Sequence, residues 1–238
     1  MASRADDTAL PPAPRIGGVL RAAGVDFYFQ SIRLVAANLI WGAGLLVIVF
    51  IAAASTPLAA LILSPILAIA ATGPFRLASL IARDEPPDFS DAVQAWRHYA
   101  LPAVVLGAAL MGAGTVLVVD MFGAFRSSNP LAWTLATMAG WGLLAVVTYA
   151  VIAWPILTDP RRDAQPLRDR LRLSGLLLAA YPVRMAGLAL LIGLILVLST
   201  IAFAALLTIS LSYVALVSAR YVLPASDRLE ARLKRQTD

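Results

Sequence analysis

Between Arg33 and Arg76 the chain carries no charged side chain for 42 residues, from Leu34 to Phe75. One helix of that length would rise about 63 Å, roughly twice the ~30 Å hydrocarbon core of a bilayer. A single straight span cannot absorb it. Ser55-Thr56-Pro57 supplies a break, because proline lacks a donor and disfavours helix at the residue before it. The stretch therefore predicts a helical hairpin, with spans over 34–54 and 58–82.

Composition agrees with a membrane chain. Hydrophobic residues make up 60% and charged residues 14%, with a mean hydropathy of +0.81, whereas about a quarter of a soluble domain is charged. The 238 residues leave room for about six spans and short connections, without a separate soluble domain of ordinary size. An excess of 19 basic over 14 acidic residues would suit nucleic acid in a soluble protein. In this chain the arginines mark the cytoplasmic side instead, and no nucleic-acid partner is expected. Cysteine is absent, which excludes disulfides and thiolate metal sites. Asp6, Asp7, Pro11, Pro12, Pro14 and Asp26 fall where a cleaved signal would need an apolar core, so none is expected.

Residues 1–17, rich in Pro, Ala and charge, read as a disordered tail ahead of one transmembrane domain over 18–223. Phe27, Tyr28 and Phe29 fit an aromatic belt before the first span. Asn38 is that span's one strongly polar side chain, and an interhelical hydrogen bond is its expected use. Pro65 and Thr72-Gly73-Pro74 predict a kink in the second span. Beyond it, Phe89, Ala92, Val93, Trp96 and Ala100 recur at helical spacing, with Asp88 placed as a cap and Asp91 in the first turn. The 88–99 segment is too short to cross a bilayer and is expected to lie in the cytoplasmic interface. The third and fourth spans read as 101–119 and 131–157. Arg161, Arg162, Arg168, Arg170 and Arg172 form the most basic stretch, and a second interfacial helix is expected over 166–181.

Met185 to Ala219 is uncharged for 35 residues, too long for one comfortable crossing. Charge decides between one span and two. A hairpin turning near Ser199-Thr200, with spans 183–199 and 202–221, leaves 18 of the 19 cations on the cytoplasmic side; a single crossing leaves 13. The prediction is an all-α fold: a polytopic integral membrane helical bundle of six transmembrane helices in three hairpins, plus two interfacial amphipathic helices. Both termini are then cytoplasmic, and 224–238 forms a C-terminal tail.

Catalytic motifs are thin. His98 is the sole histidine, and no nucleophile elbow, P-loop or dinucleotide fingerprint is present. No catalytic residue, metal or cofactor is expected. Arg76, Asp120 and Arg184 are the ionisable side chains nearest the spans, at ends where snorkelling lowers the ~2.5–3.5 kcal/mol cost of a charge at the bilayer centre. With Asn38, Phe89 and Trp96 they make up the candidate packing or partner contacts.

Several segments resemble one family. Ala37-Asn38-Leu39-Ile40-Trp41 resembles the Asn-Leu-Leu-Trp motif of the YesL-like family of small bacterial integral membrane proteins. Thr72-Gly73-Pro74, Arg83 and the Phe89–Tyr99 helix are similar to that family's Thr-x-Gly-Pro segment and Phe-rich amphipathic helix. Leu167 to Pro182 resembles its second amphipathic stretch, and Ser212-Tyr213 its late Ser-Tyr pair. The spacing from Asn38 to Pro74 is longer than is usual there. The family has no established activity, and its members commonly lie beside carbohydrate uptake transporters of the ATP-binding-cassette type. The resemblance thus implies a non-enzymatic accessory or assembly component of the bacterial cytoplasmic membrane, with the bilayer and permease subunits of such a transporter as partners. A small transporter or pore and a membrane-embedded enzyme stay open as alternatives, as does a homo-oligomer.

Overall fold

Prolines and single polar residues set the helix boundaries. The chain runs through α1 (Ile16–Phe29), α2 (Ser31–Ala54), α3 (Pro57–Leu63), α4 (Pro65–Ala82), α5 (Phe89–His98), α6 (Ala100–Phe125) and α7 (Pro130–Leu157). A 3-10 turn at Pro160–Arg162 leads into α8 (Leu167–Ala180) and α9 (Pro182–Ile201). A short α10 (Phe203–Ala205) and a π turn over Leu206–Ser210 then feed α11 (Leu211–Thr237). Helices α3, α4, α7 and α9 begin on proline, whose fixed φ and missing donor suit a first turn. The computed structural model describes residues 15–55, 57–127 and 129–237, and among these there is no strand. Six runs are long enough and apolar enough to cross a membrane: α2, α4, α6, α7, α9 and the continuous Phe203–Leu233. That is the helix complement of a multi-pass membrane protein.

Burial is inverted relative to a soluble bundle. Helix α4 and the last span form the centre, where Leu77, Leu216 and Leu223 are fully buried. The surrounding helices expose Val47, Phe50, Val105, Val116 and Leu194, which is no defect where the solvent is hydrocarbon.

The boundaries differ from expectation in four places, each with a physical reason. Residues 16 and 17, expected in the disordered tail, open α1, which buries Val19 and Ala23 against α11. There Phe27 meets Tyr213 edge-on, with centroids 6.2 Å apart. Residues 1–14 of that tail lie outside the described residues. The expected second span, 58–82, is split at Ser64, because Pro65 cannot donate to the Leu61 carbonyl; the Ser64 hydroxyl does so at 2.7 Å. Helix α6 runs past Asp120 to Phe125, since an outward-facing carboxylate does not break a helix. The 224–238 segment, expected as a tail, continues α11 through Thr237 and buries Ala225, Ser226 and Leu229.

Proline inside a membrane helix leaves the carbonyl four residues earlier without its donor, and neighbouring side chains must supply one. Pro74 lies inside α4 without breaking it. The freed Ala70 carbonyl accepts from the Trp96 indole of α5 at 3.1 Å. Gly73 makes room: a Cβ there would come within 2.6 Å of the indole nitrogen. Phe89 backs the same indole edge-on at 6.1 Å. Asp88 caps α5, accepting from the Ser90 hydroxyl and amide, while Asp91 accepts from the Asp88 amide at 2.8 Å. The Ser90 hydroxyl and the Phe89 and Ser90 amides hold the Asp88 carboxyl below the ordinary range. Pro155 in α7 repeats the logic, with the Val151 carbonyl accepting from Ser218 of α11 at 2.6 Å.

The π turn uses the same device. Asn38 of α2, fully buried, donates to the Leu207 carbonyl at 2.7 Å and the Leu206 carbonyl at 3.4 Å, and accepts from the Ser212 amide at 2.9 Å. Gly42, one turn along α2, allows contact: a Cβ there would sit 2.5 Å from the Leu207 oxygen. Trp96→Phe keeps an aromatic ring, though a smaller one, and removes the indole N–H that donates to Ala70. It should cost about 1–3 kcal/mol, read as a lower thermal midpoint of the detergent-purified protein; an unchanged midpoint would show that Ala70 finds another donor.

Candidate functional site

The charged side chains converge where α4 ends, α7 gives way to the 3-10 turn, and α11 passes beside them. Asp84 takes φ +58°, a left-handed conformation that Asp tolerates, and so turns the chain out of α4. Just before it, Arg83 lies buried against Asp159, with its Nε 3.1 Å from Oδ1 and its Nη2 2.5 Å from Oδ2, and its Nη1 pairs with Asp227 of α11. Asp159, 0% exposed, also caps the 3-10 turn, accepting from the Arg161 amide at 3.2 Å. Arg162, 3% exposed, closes the ring, donating to Asp159, to Asp227 at 2.7 Å and to Glu230 at 3.1 Å.

A second cluster adjoins the first. Arg76 clamps Asp163 through both carboxylate oxygens, at 3.0 and 2.9 Å, and also donates to the Tyr99 hydroxyl and the Thr158 carbonyl. The Tyr99 hydroxyl bonds Asp163 as well. Arg170 of α8 donates to the carbonyls of Leu157, Asp163 and Gln165 at 2.7, 2.8 and 3.1 Å. Its positive charge meets the C-terminal end of α7, the favourable end of the helix dipole. A third pairing joins Arg220 of α11 to Asp26 of α1.

Electrostatics follow from burial and pairing. Burial opposes the charge on Arg83, but the hydrogen bonds it donates to Asp227 and Asp159 overrule it and hold the guanidinium pKa above its ordinary value. Burial likewise opposes Arg162, where the charges of Asp159 and Glu230 win. Burial, then the bond to Asp163, pushes the Tyr99 phenol up, so it stays protonated at neutral pH. Asp159, Asp163, Asp227 and Glu230 each bond at least one guanidinium. Such a network fixes elements against one another.

Of the residues singled out in the sequence, Arg76 belongs to this junction, while Asn38, Phe89 and Trp96 serve the helix contacts above. Asp120 is exposed on α6, beside a cavity of about 490 Å³ formed with Leu117, Leu135 and Met138, and has no hydrogen bond or ion pair among the described residues. Arg184 is exposed, with its guanidinium 6.0 Å from the centre of the Tyr181 ring. The structure does not bring these two to the others. His98 is exposed at the rim of a cavity of about 210 Å³ that Arg76, Asp91, Gln94, Tyr99 and Asp163 complete. Among the described residues no group of three or more acidic or histidine side chains could hold a metal ion.

Sequence reading passed over Asp159, Asp163, Asp227 and Glu230, and grouped Arg162 and Arg170 with one basic stretch of an interfacial helix. Both arginines are buried, whereas Arg161, Arg168 and Arg172 are exposed. The available signal was Asp159-Pro160-Arg161-Arg162-Asp163, where acids bracket the arginines. Arg162→Met should cost about 3–5 kcal/mol, because it strips Asp159 of a partner in a buried site. Arg184→Gln should stay within about 0.5 kcal/mol. Thermal unfolding of the two variants side by side checks the contrast, and equal midpoints would mean that the junction carries no stability. No family model, curated protein or solved structure matches the chain.

Proposed function

We propose that this chain is a non-enzymatic protein of the bacterial cytoplasmic membrane, an accessory or assembly component working beside a carbohydrate importer of the ATP-binding-cassette type. The observation that supports the non-enzymatic part is the junction, where Asp159, buried, and Asp227, half-buried, are both taken up by arginines. The importer association rests on the resemblance at Asn38-Leu39-Ile40-Trp41, Thr72-Gly73-Pro74 and Ser212-Tyr213. In this reading the six spans form three hairpins with both termini cytoplasmic. Helices α5 and α8 lie along the cytoplasmic interface, where the exposed Arg97, Arg168 and Arg172 meet headgroups or a partner's acidic surface.

The collection of arginine side chains at the junction end supports that orientation. The small-transporter reading ranks second. A polar solute would need a polar path through the bundle, and the large cavity among the six spans is lined mostly by apolar side chains.

Extraction of the tagged protein in mild detergent, with mass spectrometry of what accompanies it, tests the assignment. Permease subunits in stoichiometric amount are expected; a lone chain or a homo-oligomer would overturn the accessory role. Compartment-sensitive reporters should read external after Arg126 and cytoplasmic at the C-terminus, and the reverse at either position would refute the topology.

A further inference from the structure

The bundle holds a large cavity remote from the charged junction. Its volume is about 540 Å³, and all six spans line it, among them Trp41 of α2, Ala68 of α4, Leu110 of α6, Val147 of α7, Gly193 of α9 and Val214 of α11. Helix α6 packs along α7, and α2 packs on the π turn of the last span; the cavity lies between these two pairs. The lining is apolar apart from two hydroxyls and the indole edges. Both hydroxyls are engaged: Ser64 donates to the Leu61 carbonyl and Ser218 to the Val151 carbonyl.

Three observations say what fills this space. Buried water needs two to four polar partners, and this lining leaves almost none free. An apolar cavity of only ~150 Å³ already takes up benzene, and this one is more than three times larger. The third is shape. Phe75 and Trp154 stack with centroids 5.7 Å apart and planes 22° apart, forming a floor toward Arg76 and the junction. From that floor to Ser64 the lining follows α4 for eleven residues, about 16 Å, roughly half the ~30 Å hydrocarbon core. One leaflet has that depth. Met111 and Val147, 40% and 42% exposed, form the rim and continue into the outward-facing apolar surface of Val105 and Val116.

We infer that this cavity is a binding site for one acyl chain of a glycerophospholipid, drawn from the leaflet opposite the charged junction. The chain enters from the side between the two helix pairs, its end resting on the Phe75–Trp154 floor. Its hydrocarbon replaces the packing that the six spans do not supply to one another. The site rests on the six helices crossing a bilayer and not on the accessory role, so a failed search for permease subunits leaves it standing.

Gly193 gives a clean test. A Cβ added there meets nothing within 4 Å, so Gly193→Phe starts a bulky side chain from the cavity wall without a clash at its first atom. Gly187→Phe is the control, on the same helix, with equally open space at its Cβ and outside the cavity lining. The full-length protein is delipidated, incubated with phosphatidylglycerol in mild detergent, and examined by native mass spectrometry. One lipid per chain is expected on the unaltered protein and on Gly187→Phe, with at least fivefold less on Gly193→Phe. Gly193→Leu fills less of the space and should show a partial loss, which keeps the test valid if the Phe variant does not fold. Absence of lipid on the unaltered protein, equal loading of all variants, or occupancy by a second copy of the chain instead would each overturn the assignment.

Discussion

A carbonyl oxygen inside hydrocarbon has no water to bond to, so each one freed by a proline or a π turn must find a donor on a side chain. Much of the tertiary arrangement follows from that need. Pro74 frees Ala70, and Trp96 answers from α5. Pro155 frees Val151, and Ser218 answers from α11. The π turn is met by Asn38 from α2. Each bond joins a helix to a different neighbour, so residues that would weaken isolated helices specify which helices touch. Gly73 and Gly42 fit this scheme, because any side chain there would push the donor's helix away.

The junction solves a different problem with the same economy. Helices that pack by apolar contact alone can slide or rotate at little cost, since lipid tails compete for the same surface. Arginine counters this, because its planar fork of donors demands several acceptors in fixed directions. Arg83 and Arg162 share Asp159 and Asp227, so α4, the turn after α7 and α11 hold one mutual register. Buried pairs of this kind add little net stability over apolar packing, yet a single missing member leaves a buried charge exposed to apolar surroundings. Their contribution here is to geometry.

The membrane-spanning helices were legible because uncharged runs of 20 or more residues have few other uses. The helical periodicity at 89–100 and the capping acid Asp88 were legible for a local reason: both signals lie within a few residues of each other. The junction was not. Asp159 and Asp227 stand 76 and 144 positions from Arg83 along the chain, and a count of cations per connection assigns each arginine to a side without pairing it. The extension of α11 past Pro224 was hidden similarly, because its charged residues read as solvated tail until Asp227 and Glu230 meet Arg162. Helix α1 escaped notice because its buried face consists of small residues, Val19 and Ala23, set among glycines.

The stacked Phe75–Trp154 floor also has an electrical consequence. A membrane potential does work on charge only where charge lies along its path, about 2.3 kcal/mol per elementary charge for each 100 mV traversed. The cavity on one side of the floor is lined by apolar side chains, and the paired charges of the junction gather on the other, at one end of the bundle. Each pair held at hydrogen-bond distance is close to neutral as a unit, so a field acting on both partners does little net work on it.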